Sequence, residues 1–212
     1  MKKATFKEWS LDQLDEAFGL KQIWKSDLLQ QWENDTIEIN EFEKTTLLLL
    51  QESLIRGGRA WNEAELENKF ISPLIITARI DDEQIGYFLE RPLSGIVGDY
   101  ELSGIVDGMI ATGFRDPKKP YFCLHEYKRS VENQGSPDAQ VLAAMLVARE
   151  PNQNDKPFYG LFVVGLDWYF IVLVGNEYCI SRTFHADNEE IFRIFKMMKT
   201  LKQMIHAELI TP

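Results

Sequence analysis

Four charged side chains stand on faces whose other members are apolar, and polarity that breaks a local pattern marks chemistry. In the segment 120–129, Phe122 and Leu124 open a row that continues as Glu126 and Lys128. In the segment 100–111, Asp107 interrupts the row Ile105, Met109, Ala111. In the segment after Asn62, Leu66, Phe70 and Leu74 form a helical stripe. At about 100° per residue, Glu63 falls within about 20° of Phe70 and Glu67 lies near the stripe's edge. Carboxylates that converge on a partly buried place repel one another and lose solvation unless a cation joins them. Oxygen-only donors suit a hard ion such as Mg²⁺ that keeps several waters. A lysine beside such an ion can orient or activate a water. That is the equipment for metal-assisted phosphodiester hydrolysis.

Each residue also has a plainer reading. Glu126 and Lys128 at i, i+2 form a same-face ion pair at a strand end. Asp107 precedes Gly108 and suits a turn. Glu63 is a first-turn acid of the kind the helix dipole favours. The functional reading gains from the three occurring together, in order along the chain. His125, His185 and His206 lack metal-ligand spacing and read as core or surface histidines. Trp61 and Trp168 read as core, and Met197, Met198, Met204 and Ile205 as core or a subunit interface.

The elements that must position these residues follow from periodicity. Ser10 caps a short helix that ends at Gly19. Residues 24–34 form an amphipathic helix, and 40–56 a longer one stopped by Gly57-Gly58. A further helix opens at Asn62, with Glu65 completing a capping box. The period then changes to two, so 84–90, 100–111 and 120–129 read as strands. Ser136-Pro137 starts a helix that runs to about Arg149. Strands follow at 158–165, 168–174 and 178–184, and a helix over 187–209 closes the chain. This order predicts an α/β fold, a central mixed β-sheet flanked by helices. It divides the chain into a helical N-terminal extension, 1–59, packed on an α/β domain, 60–212.

Composition narrows the function classes. The chain has 212 residues, 45% hydrophobic and 26% charged, which excludes a disordered chain or a disulfide scaffold. Its net charge of −10 argues against a default nucleic-acid binder, which needs a basic footprint. The acid is uneven: residues 61–110 hold 3 basic and 10 acidic side chains, whereas 111–150 hold 6 and 5. Cys123 and Cys179 form no CxxC pair, which points to a reducing, cytoplasmic setting. No hydrophobic run follows the basic Met1-Lys2-Lys3 start, and the apolar run Phe158–Leu166 breaks at Asp167. A signal peptide and a membrane span are therefore not expected.

An acid on a helix, Asp on a strand, Glu-x-Lys on the next and Gln early in the following helix resembles the PD-(D/E)XK nuclease superfamily. The residues are Glu63 through Ile71-Ser72-Pro73-Leu74, then Val106-Asp107-Gly108, then Glu126-Tyr127-Lys128, then Gln140. The stretches Tyr159-Gly160-Leu161 and Gly165-Leu166-Asp167-Trp168-Tyr169-Phe170 are similar to the nuclease domain of type I restriction motor subunits. The likeness covers about 60–175. It departs at Val-Asp-Gly, where Pro-Asp is common, and at Ala144, where a Tyr is frequent. The resemblance implies a restriction-endonuclease-like fold and a Mg²⁺-dependent nuclease, with Mn²⁺ as a substitute ion, acting on DNA or RNA in restriction or repair. It implies that Asp107, Glu126 and the Tyr127 backbone carbonyl hold the metal. Glu63 would bind a metal water or a second ion, Lys128 would place the attacking water, and Gln140 would orient Lys128 or a phosphate. Lys118, Lys119 and Arg129 lie close to this region in sequence and read either as contacts to a nucleic-acid backbone or as solvated loop charges, and a homodimer or protein partner is expected by analogy. Two other classes stand beside this one: a non-catalytic nuclease-fold binding or assembly protein, and an acidic protein-interaction module.

Overall fold

The computed structural model of the chain describes residues 1–33, 36–128, 136–152 and 156–210, without the side chains of 120, 123, 124, 151, 152 and 208–210. Arg129 and the Cys123 side chain lie outside the described residues. Among the described residues, nine strands form one mixed sheet. They are β1 Lys2–Thr5, β2 Lys21–Gln22, β3 Ile85–Val97, β4 Tyr100–Thr112, β5 Lys118–Lys128, β6 Phe158–Val164, β7 Asp167–Val174, β8 Glu177–Ile180 and β9 Phe184–His185. The sheet runs β1-β4-β5-β6-β7-β8-β2, with β3 on the other edge of β4 and β9 against β7. The pairs β1/β4, β5/β6 and β2/β8 are parallel; the rest are antiparallel. The fold is thus α/β, a mixed central sheet flanked by helices. Among the described residues, no helix is long and apolar enough to cross a membrane.

The helices begin where side-chain caps satisfy their first backbone N–H groups. Capping boxes open α1 Leu11–Phe18 at Ser10, α3 Glu41–Gly57 at Asn40 and α4 Glu63–Leu66 at Asn62. Helix α4 passes through a π turn, Glu67–Ile71, into α5 Ser72–Thr77. Pro73 accounts for the wide turn, because it has no N–H for the Lys69 carbonyl and its ring crowds that carbonyl. The remaining helices are α2 Asp27–Glu33, α6 Pro137–Asn152 and α7 Glu190–Met204.

Strand alternation sends side chains to two cores. Tyr159, Leu161 and Val163 of β6 join α2, α3, α5 and α7, whereas Phe158 and Phe162 join α1 and α6. Trp61, Trp168, Met197, Met198, Met204 and Ile205 are all buried. The indole N–H of Trp32 donates to Met197 O at 2.8 Å, and Lys199 Nζ pairs with Glu43 at 2.8 Å, which tie α2 and α3 to α7.

Three features differ from the periodicity reading. First, residues 1–59 are not all helix: β1 and β2 occupy the two ends of the strand order. Short segments gain strand structure from a partner's unpaired backbone, which local pattern does not encode. Second, β3 runs to Val97, beyond the expected 90, because its whole length pairs with β4. Third, the β4/β5 register passes from Ile110↔Cys123 to Ala111↔Tyr121, which leaves Phe122 as a bulge facing the α7 side.

Candidate active site at a strand fork

Strand β4 changes partners along one edge. Lys2 to Thr5 pair with Tyr100 to Ser103, and β5 joins only at Gly108↔His125. Beyond His125, β5 leaves β4 and continues beside β6, through Glu126↔Phe162 to Lys128↔Val164. The two strands therefore fork, and Asp107 stands at the crotch. Its Oδ2 accepts the Tyr127 N–H at 2.6 Å, so a side chain replaces the ladder bond that the fork removes. Asp107 is a mid-strand residue and not part of a turn. Gly108 is required there by close approach: a Cβ would lie 2.9 Å from His125 Nδ1 and 3.0 Å from the Tyr127 hydroxyl.

Across from Asp107, Glu90 adopts φ 47°, a left-handed conformation in mid-strand. The row facing α6 changes parity here, from Leu102 and Val106 to Met109 and Ala111. The β3/β4 hairpin thus coils at Glu90 and Asp107. No periodic pattern signals Glu90, because its role comes from the register with Asp107.

The fork brings the expected residues together. Lys128 Nζ lies 2.8 Å from Glu126 Oε1 and 3.6 Å from Glu63 Oε1. It also donates to the Tyr127 carbonyl at 3.2 Å. Glu126 is 5% exposed and Lys128 8%, whereas the Glu63 side chain, at 49%, stands at the mouth. Burial and the neighbouring Asp107 push the Glu126 carboxyl up to about 7, against the pull of Lys128. Burial also raises Asp107, against the Tyr127 N–H and Lys128. Burial alone would lower Lys128, but Glu126, Asp107 and Glu63 outweigh it and raise it. Lys128 is therefore an ammonium at neutral pH, and its ion pair with Glu126 is too weak to cancel two buried carboxyls.

Two cavities meet at Asp107. One, of about 520 Å³, is lined by Glu63, Glu67, Glu90, Asp107 and Tyr127. The other, of about 360 Å³, is lined by Lys7, Gly104, Asp107, Glu126 and Gln140. Burial, then Asp107 and Glu90, raise the Glu67 carboxyl. Gln140 is 2% exposed, and among the described residues its amide nitrogen has no hydrogen-bond partner. Behind the site, His125 Nδ1 lies 2.7 Å from the Tyr127 hydroxyl, which lies 2.8 Å from that of Tyr87. Burial drives His125 down to about 3, so it is a neutral core histidine. Ala144 is buried on α6.

The donors facing the fork are hard oxygens, and two of them are carboxyls lifted by burial and mutual repulsion, which a cation would relieve. Among the described residues, no group of three or more His, Cys, Asp or Glu side chains is placed to hold a metal ion.

Lys118 and Lys119 open β5 and stand at the opposite end of that strand from Lys128, about 30 Å away for ten extended residues. Among the described residues, Lys7 joins Lys128 at the fork by lining the smaller cavity, and local sequence pattern does not single it out. The chain matches no protein-family model and no curated protein.

Proposed function

We propose that the protein is a metal-dependent nuclease that hydrolyses phosphodiester bonds of DNA, in restriction or repair, on a restriction-endonuclease-like fold. The observation that carries this reading is the convergence at the fork. Glu63 from α4 and Glu126 and Lys128 from β5 form one ion-pair network, and Asp107 from β4 stands beside it, bonded to the Tyr127 N–H. Mg²⁺ or Mn²⁺, held by Asp107, Glu126 and the Tyr127 carbonyl with Glu63 on a metal water, would supply Lewis-acid polarisation and a more acidic water. Lys128 keeps its proton, orients the attacking water and counters the charge that grows on the phosphate. Glu63 and Glu126 hold the ammonium in place. Gln140 offers its amide to the phosphate from the α6 side.

Cleavage of plasmid DNA in Mg²⁺ by the wild type, beside Lys128→Ala and Asp107→Ala, tests the reading. Loss of cleavage in both variants supports it; equal cleavage by all three proteins rejects the site.

One observation favours a second reading, a non-catalytic nuclease-fold binding or assembly protein. The Tyr127 carbonyl accepts from Lys128 and is thus engaged where a metal ligand is required. Titration calorimetry with Mn²⁺ separates the two, since only the nuclease needs a metal site that loses its heat signal in Asp107→Ala.

A further inference from the structure

Lys7 belongs to the N-terminal segment, far in sequence from the other site residues, yet its position is over-determined. Strand β1 pairs in parallel with β4 up to Thr5↔Ser103. Thr5 and Glu8 then close a capping box around the turn Phe6–Glu8. Phe6 is buried on Gly104, where a Cβ would come within 2.3 Å of its ring, so only glycine admits the ring there. The next side chain, Lys7, is exposed and lines the smaller cavity opposite Glu126 and Gln140. Gln140 lines that wall, and among the described residues its buried amide nitrogen has no acceptor. A buried donor without an acceptor costs free energy, and a small turn of the Gln140 side chain toward an acceptor in the cavity removes that cost.

Lys7 and Gln140, a lysine and an amide with an unspent donor, line one cavity, and together they describe an anion site. The carboxylates of Asp107 and Glu126 on the same wall set its limit, because they repel an anion unless cations offset them. Lys7, in the lining, and Lys128, paired with Glu126 at 2.8 Å, supply that offset. The larger cavity has the opposite character, with four acids and no basic residue in its lining.

We propose that the smaller cavity is the subsite for a nucleic-acid phosphate and that Lys7, delivered by the N-terminal edge strand, is the cation that binds it. This rests on the nuclease reading and assigns the two sides of Asp107, acids toward α4 and phosphate toward Lys7.

The test is fluorescence anisotropy with a fluorescein-labelled DNA duplex, in Ca²⁺ so that the strand stays intact, across a salt series. Lys7→Ala should weaken binding about tenfold and lower the slope of log K against log salt by about 0.9, the loss of one phosphate contact. Lys7→Arg should restore both. In parallel, inorganic phosphate should shift the Gln140 side-chain amide resonance in the wild type and leave it unmoved in Lys7→Ala. A purely structural Lys7 would change neither the salt slope nor that resonance. Unchanged affinity and slope in Lys7→Ala, or an unmoved Gln140 amide in the wild type, overturns the subsite. Mg²⁺-dependent cleavage that is indifferent to Lys7 overturns this inference alone. Lys7-dependent phosphate binding in a protein that does not cut DNA supports the subsite and overturns the nuclease reading.

Discussion

Glu126 is the residue on which cation binding and stability meet. A carboxyl raised in the folded state contributes stability below its unfolded pKa, near 4.5, and loses it as pH rises through the folded value of about 7. The protein without divalent ions should therefore lose stability between about pH 4.5 and 7. Metal binding needs the ionised form and releases the proton. The melting temperature gained on adding Mg²⁺ should then be small near pH 6 and larger near pH 8, read by thermal denaturation across that range. Glu126→Gln should abolish this pH dependence; a Mg²⁺ shift that is flat in pH would remove Glu126 from the cation's shell. His125 acts in the opposite direction. Held neutral by burial, it costs stability as pH falls from about 6.5 toward 3, so the two groups leave the metal-free protein most stable at mildly acidic pH. The acid-and-lysine set was legible from sequence because each member broke an apolar row. Lys7 and Glu90 broke nothing local, and only pairing placed them.

At the scale of elements, the π turn decides where the acids of α4 point. A regular helix would carry Glu63 and Glu67 around with the buried stripe of Leu66, Phe70 and Leu74. The extra residue in the turn shifts the α4 end against α5, and both glutamates then line the cavity beside Asp107. Pro73→Ala should allow a regular turn. The expected outcome is equal or higher stability in urea unfolding with cleavage reduced about tenfold or more, since small displacements at a reacting centre cost rate steeply. Unchanged cleavage with raised stability would show that the π turn has no part in the site. Periodicity located this helix and its Asn62 cap correctly, and the Pro73 sequence carries the cause of the turn. The direction in which Glu63 points depended on the turn's geometry.

Across the whole molecule, the net charge of −10 resolves into places. Within the acidic block 61–110, Glu63, Glu67, Glu90 and Asp107 gather on one cavity. Asp82 is held well below the usual carboxylate range: burial opposes this, but the Gln84 and Ile85 N–H groups, Lys202 and His206 prevail. Glu65 pairs with Lys69 at 2.6 Å. Among the described residues the charges thus form no broad basic footprint, and binding to non-specific duplex should be weak, with a shallow salt slope of about −1 to −2. Anisotropy across a salt series measures it; a slope of about −5 or steeper would reveal a basic face that this charge distribution does not provide.

What the chain determined by itself is local. Capping side chains bond N–H groups three residues away, and alternation and helical stripes arise from backbone periods, so most element types were readable. The polar residues that interrupt those stripes were readable for the same reason. The tertiary structure alone decided the fork between β4 and β5, the register that sets Glu90 opposite Asp107, and the edge strand that carries Lys7 into the site. Each depends on backbone hydrogen bonds between segments tens of residues apart. Such bonds are made by N–H and C=O groups that every residue shares, and so leave no mark in the side-chain pattern.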